Sequence, residues 1–594
     1  MSNPTGIAFP DYLVILAYFA VIVGIGYYFA RSIKQAKDYF AAGNVMPWWL
    51  AGTSFYMVSF SALLFVIYNE ITFQYGIVGI VICWTGPPAV LLGGFFTAHL
   101  WRRARVITPL GFMERRYSKT VHQVFVWTGF PLRMFDNALK IFSTAIVVTV
   151  ALRSLGLSVV LFMVIIGIIM IAYSFMGGQM TVIIADFVQA AILGVAVVLL
   201  FAFTLSHVGH LGQFFQNLPD GFLSPVRKPY DWSYLIFTAF LITLLSYNAS
   251  WALVQKYNTV RSEADARKMI YLIAFLMFVS PPIFFFPGLA ARVLMPGLEN
   301  AKEVFAVVAM KVLPLGMMGF IISAMLSATM STLGSEFNTL SGILTRDFYK
   351  RKVRPDISES REVVLGRVFT VIIGSITIIL AIVINSFQGF SLMDIMFRFF
   401  TAFGPPIMIP LVFGLLFKKF NSRGVIWGVI AGATTGVSLI LANIILVQVY
   451  IEQMKQNPSL DFWLRSGWNS ATTVLNVMAT ILGMWLGSVT RKTSEEEKRR
   501  VDSFFDDLKK PFLLEAKAER KFPPFKIVGL ALAAFGAVMA LISFVVLFLY
   551  NKKGAFLTDL LVGAFFLLLG GGLRLLSGKN EVKPDPRGDG GGMK

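Results

Sequence analysis

Apolar runs of about twenty residues recur along nearly the whole chain, separated by short stretches rich in Lys, Arg, Asn and Gly. A run of that length crosses a hydrocarbon core of about 30 Å as a helix. The pattern therefore predicts about fifteen spans, over residues 11–30, 47–71, 76–101, 121–152, 157–176, 179–206, 232–256, 268–292, 302–344, 362–386, 388–418, 423–450, 468–490, 526–550 and 556–577. Threaded in order, they leave the basic clusters RSIKQAK, WRRAR, MERRYSK, FKKFNSR and TRKTSEEEKRR on one face, which the positive-inside rule makes cytoplasmic. The N-terminus then lies outside, and the expected location is a cell's inner membrane.

Composition agrees with an all-α polytopic membrane protein: of 594 residues, 56% are hydrophobic and 14% charged, which leaves no soluble domain. The net charge of +20 sits in the inter-span clusters, so it sets topology and does not point to nucleic acid. One cysteine, Cys83, and four scattered histidines exclude a disulfide framework and a thiol metal cluster. With neither a nucleophile motif nor a phosphate loop, the chain does not read as an enzyme. The first run shows no cleavage signal and is long enough to stay as a span. Residues 493–524 read as an amphipathic surface segment or, equally, a solvated linker, and the tail from 578 as a disordered end.

Polar side chains at membrane depth are costly and mark function by default. The run 302–344 carries Ser323, Ser327, Thr329, Ser331, Thr332, Ser335 and Asn338, with Ser327, Ser331 and Ser335 four apart on one helix face. Asp186 follows a Gly177-Gly178 break, Arg133, Asp136, Asn137 and Lys140 lie in the run 121–152, and Arg398 lies in the run 388–418. Isolated hydroxyls in membrane helices usually bond their own backbone or ease helix packing. Asp186 could simply pair with a lysine, and Arg133, Asp136 and Lys140 could neutralise one another. Hydroxyls and freed carbonyls beside a carboxylate also suit a small hard cation. Carbonyls become free where a helix breaks, and WWLAGTSFYMVSFSALLF, with Ser54, Ser59 and Ser61, is the candidate break.

Five ordered stretches resemble the sodium/solute symporter family: KDYFAAGNVMPWW (37–49), GGQMTVIIADFVQ (177–189), VQKYNTVRSEADARK (254–268), SATMSTLGSEFNTLSGILTRDFYK (327–350) and FGLLFKKFNSRGVIWGVIAG (413–432). The resemblance implies a LeuT-like five-plus-five inverted repeat with extra helices at both ends. The expected parts are an N-terminal helix and loop (1–46), repeats 47–206 and 232–418 around an external loop (207–231), two further helices (419–490), a linker (491–525), two C-terminal helices (526–577) and a tail (578–594). It further implies Na⁺ as coupling ion, with no organic cofactor. The main sodium site falls on the carbonyls of Met57, Phe60 and Ala328 and the hydroxyls of Ser331 and Thr332. Asp186, Ser331 and Ser335 match a second sodium or an exit route, although Gly334 stands where a further serine is expected.

Leu64, Cys83 and Phe397 replace the glutamine, glutamate and glutamine that the family's sugar carriers use, so a hexose held by those contacts is not expected. Ser59, Ser61, Thr243, Ser246 and Tyr247 remain to line the substrate cavity, and Arg133, Lys140 and Arg398 can receive a carboxylate, three positive charges set against the one negative charge of Asp136. The reading is Na⁺-coupled import of a small organic solute by alternating access, an organic anion such as a carboxylate or acidic sugar. A neutral sugar or polyol, or a transporter-like sensor, is the alternative. The expected partners are Na⁺, the solute and the lipid bilayer; the sequence leaves the oligomeric state open.

Overall fold

The computed structural model describes residues 7–30, 46–106, 110–176, 178–386, 392–490, 493–511 and 524–579. Residues 580–594 of the expected tail, 491–492 and 512–523 of the expected linker, Gly177 and most of the 37–49 stretch lie outside the described residues, and residues 578 and 579 continue the last helix instead of starting a tail. Among the described residues, thirteen helices are long and apolar enough to cross a membrane, and two bent pairs bring the number to fifteen. In chain order these are α1 (Phe9–Ala30), the broken pair α2 (Trp48–Ser59) and α3 (Ala62–Tyr75), α4 (Val78–Arg103), α5 (Lys119–Ala151), α6 (Val159–Met176) and α7 (Gln179–Val208). A second broken pair follows, α8 (Tyr234–Ala249) and α9 (Trp251–Tyr257), then α10 (Glu263–Leu294), α11 (Met317–Lys350), α12 (Glu359–Asn385), α13 (Leu392–Leu416), α14 (Ser422–Val449) and α15 (Trp468–Val489). The surface helix α16 (Glu495–Lys509) precedes the hairpin of α17 (Pro524–Tyr550) and α18 (Lys553–Lys579).

The serine-bearing helix α11 is the axis of the bundle. Every residue from Met317 to Gly342 is buried, and α11 packs against α1, α2, α5, α7 and α12. Gly, Ala, Ser and Thr along it let neighbouring backbones approach where lipid supplies no hydrophobic drive. The predicted run 302–344 is not one helix. A short helix, Val304–Val312, ends before Pro314, and α11 starts after Gly316, whose φ of +90° is a left-handed turn. Pro and Gly are the local stop signals, masked in the sequence by the hydrophobic residues around them. Asp11 of α1 then accepts from the Gly319 amide at 2.7 Å, satisfying a donor at the helix start.

The α2/α3 break is bent by 57° and contains neither glycine nor proline. Phe60 and Ser61 are extended, and side chains of α11 replace the missing helical bonds: the Ala62 amide donates to Thr329 Oγ1 at 3.2 Å and Thr332 Oγ1 donates to the Phe60 carbonyl at 2.9 Å. The second break, 52° at the extended Ser250, has Trp101 Nε1 donating to the Asn248 carbonyl at 3.1 Å. In both cases groups on a neighbouring helix hold the break, which is how non-helical backbone survives at membrane depth.

Within the predicted 493–524 segment, Glu495–Lys509 forms a docked helix: α16 buries Val501, Phe504 and Leu508, with Phe504 edge-on to Phe112. Arg115 pairs with Asp507 at 3.1 Å, and Arg103 donates to the Leu508 carbonyl at 3.0 Å. The C-terminal hairpin is closed by glycine contacts, Gly529 against Gly570 and Gly536 against Gly563, and α17 lies along α1.

Candidate functional site

Thr332 of α11 sits against the α2/α3 break, close to three carbonyl oxygens. Its Oγ1 lies 2.9 Å from the Phe60 carbonyl, 3.0 Å from that of Ala328 and 3.5 Å from that of Met57. A hydroxyl has one hydrogen, so three carbonyl oxygens converge on a donor able to serve one well. Next to it, Ser331 Oγ is buried without a hydrogen bond of full geometry, facing the Asp186 carboxylate. Four of the five residues expected at the main sodium site, Met57, Phe60, Ala328 and Thr332, thus meet at the α2/α3 break and present oxygens of low charge, while Ser331, the next residue on α11, faces Asp186.

One turn along α11 the chemistry changes. Lys256 of α9 places its ammonium 2.9 Å from Ser335 Oγ and 3.5 Å from Asp186 Oδ2, and Ser54 donates to the same carboxylate oxygen. The Lys256 and Asp186 side chains are both fully buried. Asp186 therefore has the lysine partner that the simpler sequence reading foresaw, and Lys256 itself went unremarked within the quoted 254–268 stretch. Gly334 is explained sterically, since a Cβ there would sit 2.8 Å from the ring of Tyr173.

Beside the break is a cavity of about 190 Å³. Ser59, Ser61 and Leu64 border it from α2 and α3, Cys83 from α4, Arg133 and Lys140 from α5, Thr243, Ser246 and Tyr247 from α8, and Phe397 from α13. All ten expected substrate residues are brought together, with Tyr68, Ser250 and Phe400 added. Ser59 bonds its own helix at the Phe55 carbonyl, 3.0 Å, as isolated serines do.

The charge balance of the cavity differs from the sequence reading. Lys140 is bonded to Asp136 at 2.7 Å, as the i, i+4 spacing allows, but Arg133 reaches across to Glu336 of α11 at 3.6 Å. Arg398 is not among the cavity-lining residues. The lining therefore carries two cations and two carboxylates, with no excess of positive charge. Arg133 Nη2 and Glu336 Oε2 are buried without hydrogen-bond partners among the described residues, leaving one donor and one acceptor for a ligand. Glu336 was missed because it lies one residue off the serine stripe, about 100° round the helix, where it faces Arg133 of α5 while its neighbour Ser335 faces Lys256 of α9.

A membrane bundle with two broken helices, a cradle of carbonyls and hydroxyls at one break and a charged cavity beside it defines a cation-coupled secondary transporter. The sodium:solute symporter family model matches residues 39–432, and the chain belongs to that family. Among curated relatives, the sodium/sialic acid symporter NanT of Aliivibrio fischeri is 24% identical over 72% of this chain and 86% of its own length. The sodium/glucose cotransporter of Vibrio parahaemolyticus is 24% identical over 73% of this chain and 85% of its own. A solved Na⁺-coupled sialic acid symporter superposes with a TM-score of 0.68 at 20% identity, covering 82% of this chain and 99% of the other. The protein is thus a multi-pass, sodium-coupled solute symporter with a LeuT-like core, a transporter and not an enzyme.

Proposed function

We propose that Na⁺ binds at the α2/α3 break, held by the carbonyls of Met57, Phe60 and Ala328 and the hydroxyls of Ser331 and Thr332, and drives import of a small organic anion held at Arg133 and Lys140. The observation that carries the reading is the Thr332 hydroxyl spread over three carbonyls, one of them that of Phe60, which immediately precedes Ser61 at the border of the solute cavity. A cation there replaces a poorly shared hydrogen with a ligand that every oxygen can reach. It also ties the break to α11, so the ion favours the conformation in which the cavity is formed. The anion follows from charge: the two ion pairs balance each other, an incoming Na⁺ adds one positive charge, and a carboxylate cancels it in a region of low dielectric. The repeats are taken as residues 47–206 and 232–418, with the N-terminus outside an inner membrane, lipid around the spans and no organic cofactor in the cycle.

One observation favours a second reading. Both ion pairs are already made, so a neutral polyol or sugar could bond to Glu336 and Arg133 without competing with a carboxylate. Charge-neutral replacement of Lys140 by Gln, and of Arg133 and Glu336 by Gln together, separates the two. Selective loss of carboxylate binding by about tenfold or more per lost charged bond, with Na⁺ binding retained, is the expected result. Undiminished binding of every solute that binds the wild type would remove the anion.

A further inference from the structure

The second sodium that the family resemblance offers would need Asp186, Ser331 and Ser335 free to receive it. Two of the three are engaged by Lys256: its ammonium lies 2.9 Å from Ser335 Oγ and 3.5 Å from Asp186 Oδ2. The Asp186, Lys256 and Ser335 side chains are wholly buried, and Ser54 bonds to the oxygen of Asp186 that faces the lysine. The serine that would complete the set is replaced by Gly334, and the Tyr173 ring fills the space a side chain would need.

We infer that the Lys256 ammonium is a built-in cation that takes the place of a second Na⁺, so that this transporter binds one sodium ion per cycle. A compact ammonium carries the same charge as Na⁺ and satisfies the same hard oxygens, but it is tied to α9 and cannot leave with the substrate. It neutralises Asp186 in the membrane interior, where a lone carboxylate is expensive, and it repels any mobile cation that approaches the same oxygens. Since α9 belongs to a broken helix and Asp186 to α7, the pair also pins two elements together across the α11 face. Such a cation contributes nothing to the driving force. The limiting accumulation ratio of the solute therefore follows the first power of the sodium gradient instead of the second.

This inference rests on the proposed main sodium site, and Na⁺ alone is enough to test both. The slope of thermal stabilisation of the purified protein against the logarithm of Na⁺ concentration reports the number of ions bound by the folded state. Radioactive sodium in equilibrium dialysis counts them directly. The wild type is expected to bind one. Lys256→Met removes the tethered charge, leaves Asp186 uncompensated and is expected to bind two, and Lys256→Met combined with Asp186→Asn is expected to return to one. Two ions on the wild type, or a folded Lys256→Met still binding one, would overturn the tethered cation. No sodium on the wild type would instead overturn the main site. If Lys256→Met does not survive purification, the wild-type count decides alone.

Discussion

Alanine at both Ser331 and Thr332 is expected to raise the Na⁺ concentration for half-maximal uptake by about 100-fold, from the loss of two oxygen ligands at about 1–1.5 kcal/mol each. The fold should persist. Alanine is the best helix former, and both positions lie inside the fully buried Met317–Gly342 part of α11. Thr332 also donates to the Phe60 carbonyl at the break, so Thr332→Ser serves as control: it keeps the hydroxyl and is expected to stay close to wild type. Initial uptake rates against Na⁺ at constant ionic strength measure the effect. A double mutant with unchanged Na⁺ dependence would show that the ion binds elsewhere.

The second large effect concerns the pair that crosses from α5 to α11. Arg133 and Glu336 are 3.6 Å apart, with side chains 5% and 3% exposed. Removing one partner of such a pair strands a charge, so Arg133→Met and Glu336→Leu are each expected to cost about 3–5 kcal/mol of stability. Replacing both should recover most of that loss, because an apolar pair of similar volume is often neutral or better. Thermal unfolding of the four proteins in one detergent completes the cycle. Single losses that simply add in the double variant would mean that the two groups do not act as a pair.

Most spans were readable because they are long, predominantly apolar runs, a property of local composition. What the sequence hid was mostly punctuation and pairing. Pro314 and Gly316 divide the 302–344 run but sit among apolar residues, so the pattern carried across them. The α2 break had the opposite problem. It has no breaking residue, and only a surplus of serines hinted at it, because what holds it open is Thr329 and Thr332 some 270 residues away in sequence. Pairings at such separations leave no periodic trace. Asp186 was visible as a buried charge, but nothing local named Lys256 as its partner, and Glu336 was hidden by the serine stripe beside it. Cavity residues fared better, since polar groups at membrane depth are few and the family resemblance supplied their order. The net charge of the cavity did not follow, because it required knowing which acid reaches Arg133.

The measurement closest to the central claim is solute accumulation by purified protein in liposomes, with a panel of radiolabelled small carboxylates and polyols and an inward gradient of either Na⁺ or K⁺. Coupling through the site at the α2/α3 break predicts that at least one solute rises above its equilibrium level with Na⁺ and not with K⁺. It also predicts that this rise collapses when a sodium ionophore is added and fails in the Ser331→Ala/Thr332→Ala protein. Accumulation that is equal in K⁺, or that the double variant carries out with wild-type Na⁺ dependence, would contradict it.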